Sequence, residues 1–575
     1  MSKTRGADAV VAILEALEVD VVFGLCGDTS LPFYHALAKS EGIRHVLTRD
    51  ERCASFMADA YARLSGRVGV CEGPSGGGAM YILPGVAEAN ESSVPLVCLT
   101  SDIGVEDRGK GTLTELDQAG LFRPVTKRVF SPTAGAHLPD MLRDAFREAT
   151  TGSLGACHVS LPLDVQGQLL DSLDPHSATD AEARFSHYPN ERLAPGRAQV
   201  KAAARLLVES RRPLLVAGAG VLRSGAWHEV TALARALGAA VATSICGKGA
   251  IAETDPLSLG VIGSNGGLPW RHDFVRRADL VFYIGSGTGS VTTEKWTLPA
   301  PGSTTVLQLD VDERVIGRNY EVAVGICSDA SLGLAGLLDE VAALMADGAR
   351  DGVDTAEVAA QIAEEIAIGR SAHMEQVAHL FESDEGPIRP ERLVGELFAA
   401  LPEDSVIVAD PGTPCPYVSA YWRLEKPGRW FVSPRAFGAL GYSLPGVVGA
   451  HLAKPEAGRV VGMMGHGSFG ISAGELETLV RLQVPATLIV CNNASYGWIK
   501  AGQKSRGDDY YSVDFGRSDH AAIARAYGMP ASRVEDPREL ASAMSAALNA
   551  PGPYLLDVVT QPLEEANAPV SKWIA

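Results

Sequence analysis

Two short polar stretches near the end of the chain each follow an apolar run of strand length. Gly465-His466-Gly467-Ser468 comes after the run from Arg459 to Met464, and Asn492-Asn493 closes the run from Ala486 to Cys491. Apolar runs of this length bounded by turn residues are typical of buried strands. Because the carboxyl ends of parallel strands share one edge of an open sheet, these polar residues predict a site for a phosphorylated ligand there.

The segment between the two strands has the pattern of a helix. Ser472 and Glu475 form an S-x-x-E capping box, and Leu476, Leu479 and Val480 supply an apolar face. The whole stretch is therefore predicted as a strand–turn–helix–strand unit, with its helix beginning after Ser472.

The same residues resemble the diphosphate- and magnesium-binding signature of thiamine-diphosphate-dependent enzymes. In that family the turn reads Gly-Asp-Gly, and its Asp is as far from the distal Asn as His466 is from Asn493 here. The resemblance implies that Gly465, Gly467, Ser468 and Asn493 bind the cofactor, and that His466, Asn493 and the Ser495 carbonyl lie at the metal position.

His466 replaces the Asp of the family. Magnesium prefers oxygen ligands, and a neutral imidazole supplies neither oxygen nor negative charge. Three alternatives stay open: a softer ion such as Mn, Co or Zn bound by His466, Asn493 and Ser495; Mg²⁺ held weakly without the imidazole; or a site that has lost both metal and catalysis. Because Glu51, Leu440 and Asn493 are retained, we favour weak Mg²⁺ and expect reduced cofactor affinity.

Glu51 is the residue with the sharpest predicted role. It lies between a predicted strand, His45 to Thr48, and a predicted helix, Ala54 to Leu64, in the segment RDERCASFMADAYARLSG. This segment resembles the family segment whose glutamate binds N1′ of the aminopyrimidine and favours the imino form that deprotonates the thiazolium. The alternative is a carboxylate placed only by the helix dipole.

Three further residues are catalytic candidates in the first part of the chain. Asp28 follows a predicted strand, and the resemblance to 2-oxo acid decarboxylases implies that it faces the reacting carbon; the alternative is a turn or capping Asp. Thr114 and Lys127 lie in segments that resemble acetolactate synthases, in which a Gln and a Lys near these positions approach the substrate.

The last part of the chain supplies the other predicted cofactor contacts. Gly412 and Thr413 follow a predicted strand from Val406 to Ala409. The segment around Gly438 and Leu440 resembles the family segment whose backbone carbonyl takes the 4′-amino group and whose bulky side chain bends the cofactor. Trp498 and Ile499 occupy positions that face the substrate in relatives.

Length and composition set the architecture. At 575 residues the chain exceeds one core, and its pattern predicts an α/β class with three doubly wound parallel-sheet domains, at 1–175, 197–345 and 391–575, with a polar linker at 172–196. The glycine-rich turns Gly218-Ala219-Gly220 and Gly285-Ser286-Gly287 in the central domain are weak nucleotide signals. Acetolactate synthases hold FAD in that domain; we do not expect FAD here, and the position stays open.

Charge and cysteine usage restrict the partners and the compartment. The formal net charge of −19 argues against nucleic acid and anionic membranes. Scattered cysteines and the lack of a signal-peptide pattern predict a cytoplasmic protein. In the family that the chain resembles, the glutamate and the diphosphate site come from different subunits, so a homodimer or homotetramer with shared active sites is implied.

The sequence thus predicts a thiamine-diphosphate enzyme that decarboxylates a 2-oxo acid and joins the product to a carbonyl acceptor, with carboligation favoured by the surroundings of Lys127. Plain decarboxylation, favoured by Asp28, is one alternative. A non-catalytic paralogue, suggested by His466, is another.

Overall fold

Three parallel sheets follow one another along the chain. The computed structural model describes residues 4–170, 183–350 and 354–573. Each sheet has six strands and is flanked by helices, which confirms the predicted α/β class. Of the predicted linker, residues 172–182 lie outside the described residues, and the exact domain limits stay predictions.

The first sheet has the strand order β3-β2-β4-β5-β7-β6, while the short β1 and β8 pair antiparallel beside it. The six strands of this sheet are β2 Val21–Gly24, β3 Arg44–Leu47, β4 Gly69–Gly73, β5 Leu96–Asp102, β6 Arg128–Phe130 and β7 Ala156–Pro162, and the separate pair consists of β1 Thr4–Arg5 and β8 Leu169–Leu170. The α-helices are Gly6–Ala16, Leu31–Leu37, Glu51–Ser65, Gly77–Tyr81, Leu83–Glu91, Gln118–Phe122, Leu138–Thr150 and Leu163–Gly167.

The central sheet has the order β11-β10-β9-β12-β13-β14. Its strands are β9 Pro213–Ala217, β10 Ala240–Thr243, β11 Ser258–Val261, β12 Leu280–Ile284, β13 Thr305–Asp310 and β14 Val324–Cys327. The helices are Arg197–Glu209, Ala219–Ser224, Trp227–Leu237, Pro269–Arg276 and Ala330–Ala346, and the long helix Thr355–Phe381 leads to the third domain.

The third sheet has the order β16-β15-β17-β18-β20-β19. Its strands are β15 Val406–Ala409, β16 Phe431–Val432, β17 Val460–Gly465, β18 Ala486–Asn492, β19 Ala531–Val534 and β20 Tyr554–Val559. The helices are Pro390–Ala400, Pro414–Tyr421, Ser443–Ala453, His466–Ser472, Leu476–Leu482, Gly497–Arg506, His520–Ala526 and Leu540–Leu548. The strand order reverses at β15, which opens a crevice between the loops that follow β15 and β17.

The first and third domains share one apolar core. Its centre is the crossing of helices Glu51–Ser65 and Ser443–Ala453. Gly449 makes this crossing close, because a Cβ at Gly449 would lie 2.1 Å from the Met57 carbonyl oxygen. The Tyr442 hydroxyl donates to the buried Asp59 carboxylate at 2.5 Å. The helix that begins at Glu51 is therefore positioned by the third domain.

The predicted capping box at Ser472 is wrong. Helix His466–Ser472 begins directly at the end of β17, and the Ser472 side chain caps no helix. The Glu475 carboxylate instead accepts hydrogen bonds from the Arg49 backbone N–H at 2.8 Å and from the Thr478 hydroxyl at 2.6 Å. The Glu475 carboxylate thus bonds to the backbone of the first domain and not to the backbone of Ser472, as the capping box would require.

Among the described residues, none of the helices combines the length and the apolar composition needed to cross a bilayer.

Candidate active site

A cavity of about 430 Å³ lies at the carboxyl edge of the third sheet. Among the third-domain residues predicted to bind cofactor or metal, Asn493 alone is missing from its lining. The predicted residues on the wall are Gly412, Thr413, Gly438, Leu440, Gly465, His466, Gly467, Ser468, Ser495, Trp498 and Ile499. Loops that are far apart in sequence therefore converge on one concave site.

Two glycines leave room for a ligand in this cavity. A Cβ built at Gly412 or at Gly438 would meet no atom within 4 Å. Gly438 has φ of +66°, a conformation that side-chain-bearing residues rarely adopt. The backbone is thus bare where a bound molecule would approach it most closely.

His466 is held by a hydrogen bond that defines its tautomer. Its Nδ1 lies 2.9 Å from Oδ1 of Asn492, whose Nδ2 donates to Ser518 and Asp557. Because the Asn492 oxygen is the acceptor, His466 Nδ1 carries the proton. The ring stacks on Phe515 with centroids 5.0 Å apart, and burial lowers the pKa of His466. His466 is therefore a neutral, fixed imidazole near pH 7.

Asn493 lies just behind the cavity wall. Its Oδ1 accepts from the Ser495 backbone N–H at 3.3 Å, while Asn493 Nδ2 and Ser495 Oγ are buried without a hydrogen-bond partner. Buried polar atoms without partners are rare in folded proteins. These two groups can donate to phosphate oxygens, so the residues present fit a diphosphate.

The same residues do not fit Mg²⁺. Magnesium is bound through oxygen ligands, commonly carboxylates, and His466 offers only a nitrogen. Within residues 4–170, 183–350 and 354–573, no group of three or more His, Cys, Asp and Glu side chains could hold a metal ion. The protein alone therefore supplies a poor magnesium site.

Glu51 lies in the first domain, away from this cavity. It is the first residue of helix Glu51–Ser65 and is only 8% exposed. Its Oε1 faces the glycine-rich loop at 73–78, since a Cβ at Gly78 would lie 3.0 Å away. Burial, with a smaller contribution from Asp50, raises the pKa of Glu51. The Asp50 side chain caps the helix and so fixes where Glu51 sits.

Hydrogen bonds connect Thr114 to the loop that carries Asp28, through its neighbour Thr29. The Thr29 hydroxyl donates to Ser75 Oγ at 3.0 Å, and Ser75 Oγ lies 2.7 Å from Thr114 Oγ1. Asp28 is exposed at the start of this loop. The first domain thus presents Glu51, the glycine-rich loop, Asp28 and Thr114 at the carboxyl edge of its sheet.

Lys127 is engaged elsewhere. Its Nζ donates to the Thr151 carbonyl at 2.9 Å and lies 3.8 Å from the Glu148 carboxylate. These contacts place the ammonium at the end of helix Leu138–Thr150, where a cation stabilises the helix. The contacts do not support a catalytic role for Lys127, which stays a prediction.

Two buried carboxyl groups near the sites were not singled out from the sequence. Glu72, at the end of β4, accepts from the Tyr34 hydroxyl at 2.8 Å, and burial raises its pKa to about 8. Asp410, beside the Gly412 loop, accepts from the backbone N–H groups of Tyr442 and Ser443 at 2.9 and 3.0 Å. The available signal was a charged residue at the carboxyl end of an apolar strand.

A second cavity, of about 410 Å³, lies at the carboxyl edge of the central sheet. The turns after β9 and β12 approach closely there, because a Cβ at Gly218 would lie 2.2 Å from the Gly285 carbonyl oxygen. Asp310 and Asp312 also line the cavity. This geometry is compatible with the weak nucleotide signal, and a nucleotide at this position stays a prediction.

The chain matches three family models of thiamine pyrophosphate enzymes. These are the N-terminal TPP binding domain over residues 4–121, the central domain over residues 200–337 and the C-terminal TPP binding domain over residues 410–558. The wall of the cofactor cavity lies in the C-terminal match except for Ser290 and Val291, which lie in the central one, and Glu51 lies in the N-terminal match.

Relatives that match nearly the whole chain are named as large subunits of acetolactate synthase. The chain is 33% identical to a probable acetolactate synthase large subunit of Methanococcus aeolicus, over 97% of this chain and 92% of the relative. A probable acetolactate synthase large subunit of Methanocaldococcus jannaschii is 32% identical over 97% and 92%. The acetolactate synthase large subunit of Parasynechococcus marenigrum is 30% identical over 96% and 87%. The chain belongs to the thiamine pyrophosphate enzyme family. It is a thiamine-diphosphate-dependent enzyme similar to acetolactate synthases.

Proposed function

We propose that the protein is a carboligase that decarboxylates a 2-oxo acid and joins the remaining acyl unit to a second carbonyl compound. The convergence of eleven separately predicted residues on one cavity carries this proposal. The relatives named acetolactate synthase support the substrate class.

Bound thiamine diphosphate would supply, once deprotonated, the carbon nucleophile that adds to the 2-oxo acid and the electron sink for the bonding pair that remains when carbon dioxide leaves. The chain's own residues hold and orient it. Asn493 Nδ2 and Ser495 Oγ, both without partners, would donate to the diphosphate. Leu440 supplies the apolar wall that would set the angle between the two rings. Glu51 would share its proton with the aminopyrimidine, and its raised pKa suits that exchange.

The active site requires a second copy of the chain. Every residue on the cavity wall belongs to the central or third domain, so Glu51 of the same chain is not part of it. The first domain exposes large apolar side chains on and near the loops around Glu51: Leu31, Met80, Tyr81 and Leu113. Covering them with the cavity face of a second copy would complete two sites. We therefore propose a homodimer, or a homotetramer built from such dimers.

Metal dependence is expected to be weak. The donor set around His466 lacks a carboxylate, so Mg²⁺ would be held mainly by the diphosphate and water. We also propose a cytoplasmic location, because the cysteines, most of them buried, are all free thiols.

The test is carbon dioxide release from a panel of 2-oxo acids by the natural protein and by Glu51→Gln. Glutamine keeps the shape of the side chain but cannot exchange the proton, so we expect a loss of about 100-fold or more. Glu375→Gln, on the exposed face of helix Thr355–Phe381, is the matched control and should be unaffected.

Product analysis with an added aldehyde or 2-oxo acid acceptor separates the alternatives. A new carbon–carbon bond supports the carboligase, whereas a free aldehyde as the sole product supports the decarboxylase. If the natural protein releases no carbon dioxide from any 2-oxo acid, the non-catalytic alternative suggested by His466 replaces both.

A further inference from the structure

A third cavity, of about 320 Å³, lies between the central and third domains. Strand β11 and helices Pro269–Arg276, Thr355–Phe381 and Pro390–Ala400 contribute to its wall. Helix Pro414–Tyr421 begins beside the cofactor cavity and ends at this one, and its eight residues span about 12 Å. The cavity is therefore separate from the active site.

Flat rings form much of the lining: Trp270, Phe381, Phe398, Tyr421 and Trp422. Two glycines let neighbouring helices approach these rings closely. A Cβ at Gly369 would lie 2.6 Å from Trp270, and one at Gly395 would lie 2.9 Å from Phe381. The cavity is thus a slot between rings, a shape that suits a planar apolar ligand.

Arg271 is the most buried of the three arginines that line this slot. It is 7% exposed, and its Nη atoms donate to the carbonyls of Val261, Gly266 and Ala420 at 3.1 to 3.2 Å. Its Nε has no partner. A buried guanidinium whose hydrogen bonds go only to carbonyls keeps its full charge without a counter-ion.

Two further arginines share the cavity. Arg370 donates to the Ser258 carbonyl at 2.9 Å, and Arg423 donates to the Glu253 carbonyl at 3.2 Å. Across the described part of the chain, neither they nor Arg271 form an ion pair with a carboxylate. Burial lowers the pKa of Arg271 to about 10; the attraction of Glu253 opposes this shift, and weaker repulsion from Arg370 and Arg423 adds to it.

The nearby carboxylate is already neutralised. Glu253 pairs with the buried Lys248 and also accepts from the Leu424 backbone N–H at 3.1 Å. The indole N–H of Trp270 is buried without an acceptor as well. Glu253 is the one carboxylate in the described lining of the slot, and Lys248 already pairs with it, so the three arginines and the spare donors have no carboxylate in contact with them.

We propose that this cavity is a second ligand site, for a small aromatic carboxylate. The carboxylate oxygens would accept from the guanidinium groups, whose planar fork matches a carboxylate. The ring would lie among the aromatic side chains. Nothing in the proposed carboligase reaction uses this site, so its ligand is distinct from the 2-oxo acid.

The first test is calorimetric titration of the full-length protein with phenylacetate and with its neutral counterpart phenylacetamide. The two probes have the same ring and nearly the same shape, and differ in charge. We expect phenylacetate to bind at least tenfold more tightly, because its charge meets unpaired arginines. Equal affinities, or no phenylacetate binding at millimolar concentration, would overturn the proposal.

The second test places the bound probe in the cavity. Arg370 and Arg423 are partly or fully exposed and each makes one carbonyl contact, so R370Q/R423Q should fold. We expect this variant to bind phenylacetate at least tenfold more weakly, while Arg525→Gln, an exposed arginine on helix His520–Ala526, binds as before. Met374→Trp, which fills the slot from its rim, should also abolish binding. Unchanged binding in R370Q/R423Q and in Met374→Trp would place the probe elsewhere and refute the site.

Discussion

At the scale of single residues, His466 is the clearest predicted departure from the family pattern. A neutral imidazole whose Nδ1 proton is committed to Asn492 cannot replace a carboxylate as a magnesium ligand. Stacking on Phe515 and the hydrogen bond to Asn492 fix the orientation of the imidazole ring. The surrounding residues therefore accommodate a histidine at this position. We therefore expect His466 to change how the cofactor is held.

His466→Asp should restore magnesium-dependent cofactor binding. A carboxylate beside Asn493 and the Ser495 carbonyl would provide the oxygen ligands that Mg²⁺ prefers. In calorimetry with thiamine diphosphate, we expect affinity to rise with added Mg²⁺ by tenfold or more in His466→Asp, and only slightly in the natural protein. His466→Asn, which is uncharged, is the control. A strong magnesium dependence in the natural protein would contradict this account.

Glu72 should make stability depend on pH. Burial, and to a smaller extent the charge of Glu51, raises its pKa from 4.5 to about 8. The folded protein thus holds this proton more tightly than the unfolded chain does. The resulting stabilisation is complete below about pH 4.5 and is lost as the pH rises through about 8.

Thermal unfolding of Glu72→Gln between pH 5 and 9 measures this contribution. Glutamine can still accept from the Tyr34 hydroxyl but does not titrate, so its melting temperature should fall less than that of the natural protein as the pH rises. The exposed Glu375→Gln should follow the natural protein. Parallel profiles for natural protein and Glu72→Gln would show that Glu72 does not titrate in this range.

At the scale of elements, the crossing of helices Glu51–Ser65 and Ser443–Ala453 positions the activating glutamate. The approach depends on Gly449, since a methyl group there would meet the Met57 carbonyl oxygen at 2.1 Å. A backbone carbonyl cannot change rotamer to avoid the methyl group as a side chain could. The two helices would therefore have to move apart.

Gly449→Ala should therefore destabilise the protein by about 1–3 kcal/mol, as overpacking does elsewhere. Gly502→Ala is the matched control, because Gly502 also lies in a helix but has open space at its Cβ position. It should be neutral or stabilising. Chemical denaturation of both variants compares them directly, and an equal effect would mean that the crossing tolerates the methyl group.

At the scale of the whole molecule, we expect one chain to carry two separate half-sites, because Glu51 is not on the wall of the cofactor cavity. Glu51 and Thr114 lie at one sheet edge, and the cofactor cavity lies at another. Co-expression of Glu51→Gln with Leu440→Arg should therefore restore activity that neither variant has alone. Random pairing into dimers leaves about a quarter of the sites intact.

The control is Glu51→Gln co-expressed with a chain that carries both substitutions, which offers no intact Glu51 and should stay inactive. Activity near that of the control in the test mixture would indicate that each chain completes its own site.

Much of this protein was determined locally by its sequence. Apolar runs ending in glycine and polar residues predicted β15, β17 and β18 and the residues that follow them, because strand burial and turn chemistry act over a few neighbours. Parallel sheets then bring those turns to one edge, which predicted the place of a phosphorylated ligand. The resemblance to thiamine-diphosphate enzymes, and not the strand pattern, named Gly438, Leu440, Trp498 and Ile499, which line the same cavity.

Only the tertiary structure decided the features that depend on distant partners. The Glu475 carboxylate accepts from the Arg49 backbone N–H and does not take part in the predicted capping box. The Lys127 ammonium donates to the Thr151 carbonyl at the end of a helix. The arginine cavity joins side chains from Arg271 to Arg423, which no short motif connects. The burial of a charged group and the charges that surround it depend on every element that packs around it. Patterns of neighbouring residues in the sequence do not specify that packing.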